Sequence, residues 1–316
     1  MIDISIIIVS WNVKNLLIAC LESIMASPVA INQAEGNQPV IEIIVVDSAS
    51  QDNTVAYLES NYPQVKLMAQ TDNIGFTRGN NLGFEAASGR YLLLLNPDTE
   101  IIEDAIPQMM TYLDNHADVG IVGPHTLNTD GTTQSSRRHF LTKTLAFFES
   151  TWLQRFAPKS LISHFYISDQ PDNAILDVDW MQGSALMVRH SIYDQVGGLD
   201  TDFVMFFEEQ DWCKRIKMAG WRAIYLGTAQ IIHHGGKSTD QIGAQKHIWF
   251  QESKLRYFKK HHGSVFATIL RLFLLSNYWL QLTIEAIKGI IGHKRDLRKQ
   301  RIAIYWQVIR SGLKDS

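Results

Sequence analysis

Short apolar runs alternate with stretches whose apolar positions recur every three to four residues along the first 125 residues. The apolar runs predict strands buried on both faces, at 4–9, 41–46, 65–69, 91–95 and 120–123. The recurring spacing predicts helices at 15–26, 76–87 and 105–115, another after the turn at 48–54, and a polar loop at 28–39. Gly89 is the expected end of the helix at 76–87. This order predicts an α/β fold with an open, mainly parallel, Rossmann-like sheet and helices on both faces.

The pattern changes after residue 124. Residues 124–178 have weak periodicity and many polar positions, which indicates a long excursion over the sheet edge. The elements predicted beyond it are strands at 184–188, 223–226 and 230–232 and helices at 191–196 and 209–219. From residue 248 the chain is predicted to be almost wholly helical. We therefore expect one α/β domain over 1–245 and a helical, basic and amphipathic region over 246–316.

Composition narrows the class of protein. Hydrophobic residues make up 46% of the chain and charged residues 19%, and the net charge is −3. These values indicate a globular protein and argue against a nucleic-acid partner, which would need a basic field over the first 250 residues. The two cysteines, Cys20 and Cys213, are expected to be buried free thiols in a reducing compartment. The N-terminus lacks the basic head of a signal peptide, so a cytoplasmic location is expected.

Polar residues follow three of the predicted strands. The first strand ends in Ser10-Trp11-Asn12, the second in Asp47-Ser48 and the fourth in Asn96-Pro97-Asp98. Ligands of open α/β sheets bind beyond the carboxyl ends of the strands. The sequence therefore predicts a polar ligand site at this edge of the sheet.

Several ordered blocks resemble family 2 glycosyltransferases of the GT-A fold, in the branch of bacterial rhamnosyltransferases and galactofuranosyltransferases. The blocks over residues 3–240 are Ser5–Asn12, Val45–Ser50, Asn73–Phe76, Gly79–Gly83, Leu95–Asp98, Gly197–Asp200, Phe207–Trp212 and His233–Ser238. The resemblance implies an inverting, metal-dependent glycosyltransferase (a hexosyltransferase) that uses a nucleotide-diphosphate sugar. Rhamnose is the sugar favoured by the branch.

The resemblance implies a divalent metal ion, Mn²⁺ or Mg²⁺, held by Asp98. The family usually has Asp-x-Asp here, whereas this chain has Asn96-Pro97-Asp98, so Asn96 would offer a neutral oxygen to the ribose or to a water. His233 is the implied second ligand, and His234 is its rival because adjacent strand residues point in opposite directions. The alternative is a strand-ending turn, for which Asn-Pro-Asp is good chemistry.

The same resemblance implies a nucleotide site. Asp47 would accept a hydrogen bond from the base, and Ser10 and Asn12 would border the same pocket. Arg78 and Asn80 follow the Gly75 turn. Arg78 would neutralise a donor phosphate, unless it is simply a solvated helix residue.

The acceptor side is implied by two later segments. Glu209 would be the general base that deprotonates the acceptor hydroxyl. The family commonly has Glu-Asp-x-Asp where this chain has Glu208-Glu209-Gln210-Asp211, so Glu208 and Asp211 compete for the role. The alternative is a helix start stabilised by acidic residues. The residues expected to shape the sugar subsite are Trp180, Gln182 and Gly183.

The C-terminal region combines apolar and basic residues. Basic clusters flank the apolar stretch 265–291, which contains Arg271, Glu285 and Lys288. These charges favour amphipathic helices on a membrane surface over a spanning helix. A helical cap on the catalytic domain or a homo-oligomer contact is the alternative.

The favoured function is sugar transfer to a glycan or polyprenyl-linked acceptor in cell-surface polysaccharide synthesis, at the inner face of the plasma membrane. A nucleotidyltransferase would need a glycine-rich phosphate loop after the first strand, and Ser10–Lys14 contains no glycine. A non-catalytic nucleotide-sugar binder is disfavoured by the acidic residues Asp98, Glu208 and Glu209.

Overall fold

The computed structural model describes residues 1–33, 36, 38–235, 243–292 and 294–314. The described chain forms two compact units. The first contains Met1–Phe140, Tyr166–Asp202 and the chain from Glu208 through the last strand. The second contains Leu141–Phe165, Phe203–Phe207 and the helices that follow residue 243. The boundary expected near residue 245 stays a prediction.

Strands and helices alternate as the hydrophobic pattern predicts. The strands are β1 (Ile4–Ser10), β2 (Ala30–Ile31), β3 (Val40–Asp47), β4 (Lys66–Ala69), β5 (Tyr91–Leu95), β6 (Thr99–Ile101), β7 (Val119–Leu127), β8 (Arg137–Arg138), β9 (Ile175–Val178), β10 (Trp180–Met181), β11 (Ala185–Arg189) and β12 (Arg222–His233). The helices are α1 (Lys14–Ala26), α2 (Thr54–Asn61), α3 (Gly75–Glu85), α4 (Ala105–Asn115), α5 (Leu145–Phe148), α6 (Lys159–Tyr166), α7 (His190–Val196), α8 (Glu208–Met218), α9 (Gly243–His262), α10 (Ser264–Ile290) and α11 (Arg295–Ser311). A short 3-10 helix covers Trp152–Phe156.

The main sheet has ten strands within the described residues, in the order β2-β3-β1-β5-β11-β7-β12-β6, with β4 beside β3 and β9 beside β12. The pairs β1–β3, β1–β5, β2–β3, β3–β4 and β7–β12 are parallel. Strands β6, β9 and β11 pair in the antiparallel sense. The expected α/β class with a mainly parallel sheet and a helical C-terminal region is confirmed.

Three local expectations are wrong. The polar segment 28–39 was expected to be a loop, but Ala30–Ile31 pairs with β3 through the carbonyl and amide groups of a short parallel strand. The strands expected at 223–226 and 230–232 are one strand, β12, whose register against β7 shifts between Leu226 and Gln230. Gly89 does not end a helix, because α3 already ends at Glu85.

Glycines on one side of α3 let this helix approach β1 closely. A Cβ at Gly79 would lie 2.8 Å from Val9, and a Cβ at Gly83 would lie 2.4 Å from Ile7. Gly79 and Gly83 are one helical turn apart, and Val9 and Ile7 share one face of the strand. Gly89 continues this approach, since its Cβ would lie 2.5 Å from the backbone nitrogen of Ser5. The sequence therefore selects glycine where the helix and its exit meet the central strand.

The second unit is held together by buried polar contacts as well as by aromatic packing. Lys254 on α9 is fully buried, and its Nζ donates to the carbonyl oxygen of Glu149 at 2.7 Å and to its carboxylate at 2.9 Å. Burial lowers the pKa of Lys254 below its ordinary value. Asn277 on α10 accepts from the backbone N–H of Trp152 at 3.3 Å. The chain between residues 141 and 165 is thereby fixed to α9 and α10.

Gly89→Ala should destabilise the first unit by roughly 2 kcal/mol or more, because the new methyl meets backbone that cannot rotate away. Gly289→Ala is the matched control. Its Cβ would lie 3.7 Å from its nearest neighbour, and alanine is the better helix former by about 1 kcal/mol. Calorimetric unfolding of both variants measures the difference. An unchanged transition in Gly89→Ala would contradict the close approach to β1.

Candidate active site

The carboxyl ends of β1 and β3 lie side by side. Ser10 pairs with Asp47 in the parallel register, and the backbone N–H of Ser48 donates to the carbonyl oxygen of Ser10 at 2.8 Å. Both side chains are fully buried. The Ser10 hydroxyl and Oδ2 of Asp47 have no hydrogen-bond partner among the described residues. The edge therefore holds a donor–acceptor group and an acceptor that are desolvated and available to a ligand.

Asn12 is used to connect two loops of this edge. Its backbone N–H donates to the Ser50 hydroxyl at 2.9 Å, and its side-chain oxygen accepts from the backbone N–H of Gln51 at 2.7 Å. Asn12 has a φ of 53°, a region that asparagine tolerates better than most residues. The second oxygen of Asp47, Oδ1, accepts from the backbone N–H of Ser50 at 2.8 Å. Asn12 thus lies at this edge, and its side chain holds the loop after β3 in place.

The first half of α3 carries two predicted residues in different environments. Asn80 is buried, and its amide donates to the carbonyl oxygen of Phe76 at 2.9 Å, while its Oδ1 has no partner among the described residues. Arg78 is exposed and makes no hydrogen bond or ion pair within the described chain. Asn80 therefore resembles Ser10 and Asp47 in offering a buried polar atom.

Strands β6 and β12 bring Asp98 and His233 together. His233 pairs with Thr99 in the antiparallel register, so the residue before β6 meets the end of β12. Oδ1 of Asp98 lies 3.2 Å from Nε2 of His233, and both side chains are buried. His234 points elsewhere, with its Nε2 2.5 Å from Oε1 of Glu100. Of the two adjacent histidines, His233 is the one that faces Asp98.

A glutamine fixes the protonation pattern of the His233 ring. Nδ1 of His233 lies 2.7 Å from Oε1 of Gln134, and Nε2 of that amide donates to Oδ1 of Asn128 at 3.0 Å. The second contact orients the amide so that its oxygen faces the ring. The neutral tautomer that matches this contact has its proton on Nδ1, and Nε2 of that tautomer faces the Asp98 carboxylate. This arrangement of imidazole and its supporting hydrogen bond is typical of a metal-ligating histidine.

The donor set around this pair fits a divalent cation. A lone pair facing a carboxylate is repulsive unless a cation or proton lies between them, and a carboxylate with an imidazole suits Mn²⁺. Oδ1 of Asn96 is a further buried oxygen without a partner in the described residues. These residues contain no group of three or more His, Cys, Asp and Glu side chains suited to a metal. A site with so few protein ligands suits a cation that shares its coordination with a ligand's phosphates.

A continuous series of contacts links this pair to α8. The amide of Asn96 lies 3.4 Å from Nε2 of His233, and the backbone N–H of Asn96 donates to the carbonyl oxygen of Ser184 at 2.9 Å. The backbone N–H of Gly183 lies close enough to the Glu209 carboxylate to act against the raised pKa of that acid. A Cβ at Gly183 would lie 3.6 Å from Cβ of Glu209, so this glycine packs directly on the acid. The start of β11 therefore lies between the two groups of charged residues.

Glu208 and Glu209, the two acids at the start of α8, have raised pKa values. Burial raises the pKa of Glu208 well above its ordinary value, and the neighbouring Glu209 raises it further. Burial also raises the pKa of Glu209, although the Gly183 N–H and the charge on Arg138 act in the opposite direction. Each carboxylate has one oxygen, Oε2, without a partner in the described chain. Glu209 is the less buried of the two and combines a raised pKa with a free oxygen, as a proton acceptor requires.

Asp211 is in a different electrostatic state. Its fully buried carboxylate accepts from Nε of Arg215 at 2.8 Å, one turn later on α8. The same guanidinium donates to the carbonyl oxygens of Val196 and Gly198 at 2.7 and 2.6 Å. Asp211 is thus tied to the connection between α7 and α8.

The predicted acceptor residues lie on or next to a small two-stranded sheet formed by β8 and β10. Trp180 and Arg138 pair across β8 and β10, and the Trp180 ring nitrogen donates to the carbonyl oxygen of His139 at 3.0 Å. The Arg138 guanidinium lies 5.5 Å from the Trp180 ring and 4.7 Å from the Tyr166 ring. Gln182 donates through its backbone N–H to Ser136 at 2.8 Å. Strand β10 leads into Gln182 and Gly183, and Arg138 lies close enough to Glu209 for its charge to act on that carboxylate.

Sequence reasoning missed Gln134 and Arg138. Both lie in the weakly periodic excursion after residue 124, where no local pattern distinguishes a functional polar residue from a solvated one. The pair Arg137-Arg138 in a polar stretch is the one available signal. Arg137 is buried and donates to carbonyl oxygens such as that of Gln170 at 2.6 Å, which leaves Arg138 as the arginine beside the acids.

The chain is similar in sequence to known glycosyltransferases. Residues 5–171, more than half of the chain, match the profile of glycosyl transferase family 2. N-acetylglucosaminyl-diphospho-decaprenol L-rhamnosyltransferase of Mycobacterium tuberculosis is 25% identical over 272 residues, which are 83% of this chain and 86% of that protein. Rhamnosyltransferase WbbL of Escherichia coli is 25% identical over 206 residues, 59% of this chain and 70% of that protein.

Solved structures share the fold. The mannosyltransferase PcManGT from Pyrobaculum calidifontis, in complex with GDP-Man and Mn²⁺, superposes with a TM-score of 0.55 at 16% identity and covers 98% of this chain and 84% of its own. Staphylococcus aureus TarS superposes with a TM-score of 0.54 at 12% identity and covers 99% and 55%. The GT-A fold implied by the sequence resemblance is confirmed. The chain is an enzyme that belongs to glycosyl transferase family 2.

Proposed function

We propose that this enzyme transfers a sugar, with inversion, from a nucleotide-diphosphate donor to a hydroxyl of a glycan or polyprenyl-linked acceptor. The observation that carries the proposal is the contact series from Asp98 and His233 through Asn96 and the start of β11 to Glu209. It separates a cation-binding pair from a proton acceptor, as displacement at a sugar carbon requires. Rhamnose is the favoured sugar, since two relatives carry rhamnosyltransferase names.

The donor nucleotide would bind at the edge formed by β1 and β3. The unpaired oxygen of Asp47 would accept from a ring N–H of the base, and the Ser10 hydroxyl would bond to the nucleoside. Asn12 would keep the loop after β3 in place through its bonds to Ser50 and Gln51. Asn80 would add a buried acceptor, and the exposed Arg78 would approach a phosphate once a donor is present.

Asp98 and His233 would hold Mn²⁺ or Mg²⁺, with Asn96 beside them. A divalent cation bound there would neutralise the charge that develops on the departing nucleotide diphosphate. Gln134 would act as a positioning residue, because its bond to Nδ1 orients the His233 ring so that Nε2 faces Asp98.

Glu209 would accept the proton of the acceptor hydroxyl. As that proton leaves, the hydroxyl oxygen forms a bond to the anomeric carbon of the donor sugar. The bond between this carbon and the phosphate oxygen breaks, and the diphosphate leaves with the electron pair. Attack opposite the leaving group inverts the anomeric centre. Gly183 would leave room for the acceptor next to the acid, and Trp180 would offer an aromatic face to its sugar.

The acceptor and the location follow the relatives. One relative is named for an acceptor on a decaprenyl diphosphate, which supports a role in cell-surface polysaccharide synthesis at the inner face of the plasma membrane. We assign the chemistry to residues 1–245 and place contact with the membrane in residues 246–316. Membership of glycosyl transferase family 2 does not favour the nucleotidyltransferase or non-catalytic alternatives.

Asp98→Ala should abolish both transfer and donor hydrolysis, because the cation would lose its carboxylate ligand. Calorimetry with a nucleotide-diphosphate sugar should show Mn²⁺-dependent donor binding in the wild type and none in the variant. Glu100→Ala is the matched control, because this acid contacts His234 rather than His233. Full activity of Asp98→Ala in a chelator would overturn the metal site.

Glu209→Gln should bind donor normally but lower kcat by at least ~100-fold, the smaller end of the usual contribution of a general base. The base acts as its ionised form, and burial raises the pKa of this carboxyl. Wild-type kcat/KM should therefore fall as the pH drops through a value above that of an ordinary glutamate. This decrease of kcat/KM at low pH should be absent from the residual activity of Glu209→Gln. Pre-steady-state transfer with a saturating donor measures both effects.

Asp211→Asn separates the base from its neighbours. It removes the negative charge beside Arg215 and should lower the free energy of unfolding by roughly 3 kcal/mol. Glu209→Gln should leave the free energy of unfolding nearly unchanged, because burial already disfavours the charge on Glu209. If a folded Asp211→Asn enzyme is inactive and Glu209→Gln retains wild-type kcat, the base is assigned to the wrong carboxylate.

A further inference from the structure

Helix α10 presents a long apolar surface. The exposed apolar side chains that form it, here called the α10 face, are Val265, Ile269, Leu272, Trp279, Leu280, Ile284, Ile287, Ile290 and Ile291. Most successive members are three, four or seven residues apart, which places them on one side of the helix. Their span of 26 residue steps corresponds to roughly 40 Å. The helix is also long and apolar enough to cross a membrane by length and composition alone.

The charges within the helix are directed inward. Arg271 donates to the carbonyl oxygen of Gly312 at 2.7 Å. Glu285 is buried and accepts from Arg298 on α11 at 2.5 Å, while Arg301 lies 3.7 Å from its other oxygen. Among the exposed positions of α10, only Lys288 near its end carries a charge. The sequence pattern suggested a stretch interrupted by charge, yet its outward surface is almost uninterrupted.

Cationic and amphipathic side chains border one end of this surface. Lys288, Lys294, Arg295 and Lys299 are exposed. Trp279 and Trp306 form an edge-to-face pair with ring centroids 5.8 Å apart, and each ring is about half exposed. Tryptophan and basic residues beside an apolar helix face are typical of the boundary between lipid headgroups and acyl chains.

We propose that the α10 face docks on an anionic lipid bilayer and lies along its surface. The face supplies the apolar contact, and the basic residues Lys288, Lys294, Arg295 and Lys299 attract the headgroups. The other side of α10 is packed through its contacts with α11, including the buried Glu285–Arg298 pair, so lipid would cover one side of the helix only. Arg298, a member of the basic cluster in the sequence, takes no part because it is buried.

The full-length enzyme should be tested for cosedimentation with vesicles of phosphatidylethanolamine and phosphatidylglycerol. Leu272→Gln with Ile287→Gln should lower the partition coefficient roughly 10-fold or more, since each change removes an exposed apolar side chain from the lipid contact. The matched control is Ile175→Gln with Met218→Gln, which alters two apolar side chains of similar exposure, 49% and 74%, in the first unit. This control should bind like the wild type.

A second variant tests the charges. Lys294→Gln, Arg295→Gln and Lys299→Gln together should weaken binding to anionic vesicles, most clearly at low salt, because salt screens the attraction between opposite charges. Binding to neutral vesicles should change little, because these vesicles carry no net charge that attracts the basic side chains. Equal binding of wild type and both variants would overturn the proposal. The proposal would also be overturned if the wild type did not bind vesicles but formed a dimer in light scattering, and if Leu272→Gln with Ile287→Gln dissociated that dimer. The α10 face would then contact a second copy of the chain. Donor hydrolysis in solution should be unchanged in all variants, which keeps this test independent of the proposed reaction.

Discussion

The close approach of α3 and its exit to β1 is the constraint on which the first unit depends. Gly79, Gly83 and Gly89 leave no side chain between this segment and the central strand. The approach sets the depth of α3, and therefore places Asn80 with its unpaired oxygen in the interior. Because β1 lies between β3 and β5, its position also aligns the carboxyl ends of three parallel strands. The polar residues at those ends meet at one edge for this reason.

The hydrophobic pattern was sufficient to predict the central strands β1, β3 and β5 and the polar residues that follow them. The runs that become β1, β3 and β5 are buried on both faces, and such runs have few alternatives to a central parallel strand. The pattern was insufficient where pairing depends on distant segments. Strand β6 has three residues and exists because His233 and its neighbours pair with it. A two-residue strand such as β2 likewise carries no periodic signal of its own.

The sequence was sufficient to propose which types of residue form the candidate site. It was not sufficient to predict the charge environment of each side chain. The resemblance favoured Glu209 as the base and left Glu208 and Asp211 as rivals. Their different states arise from Arg215, which neutralises Asp211, and from the burial that raises the pKa of Glu208 and Glu209. The choice between His233 and His234 likewise depends on contacts with Asp98 and Glu100 that come from strand pairing. The resemblance to the family suggested a catalytic or binding role for each residue. Contacts made in the folded chain distinguish side chains of the same type.

The candidate site of the first unit leaves buried oxygens without partners among the described residues, whereas buried ion pairs connect elements of the second unit. In the first unit, buried oxygens at Ser10, Asp47, Asn96 and Glu209 lack partners in the described chain, at a cost of roughly 1–3 kcal/mol each that a bound ligand can offset. In the helical unit the buried charges are paired, and the pairs lie between elements. Breaking such a pair would leave one charge uncompensated, so it fixes which side of α10 faces inward. The side that remains outward is almost free of charge because the charged side chains are engaged within the unit.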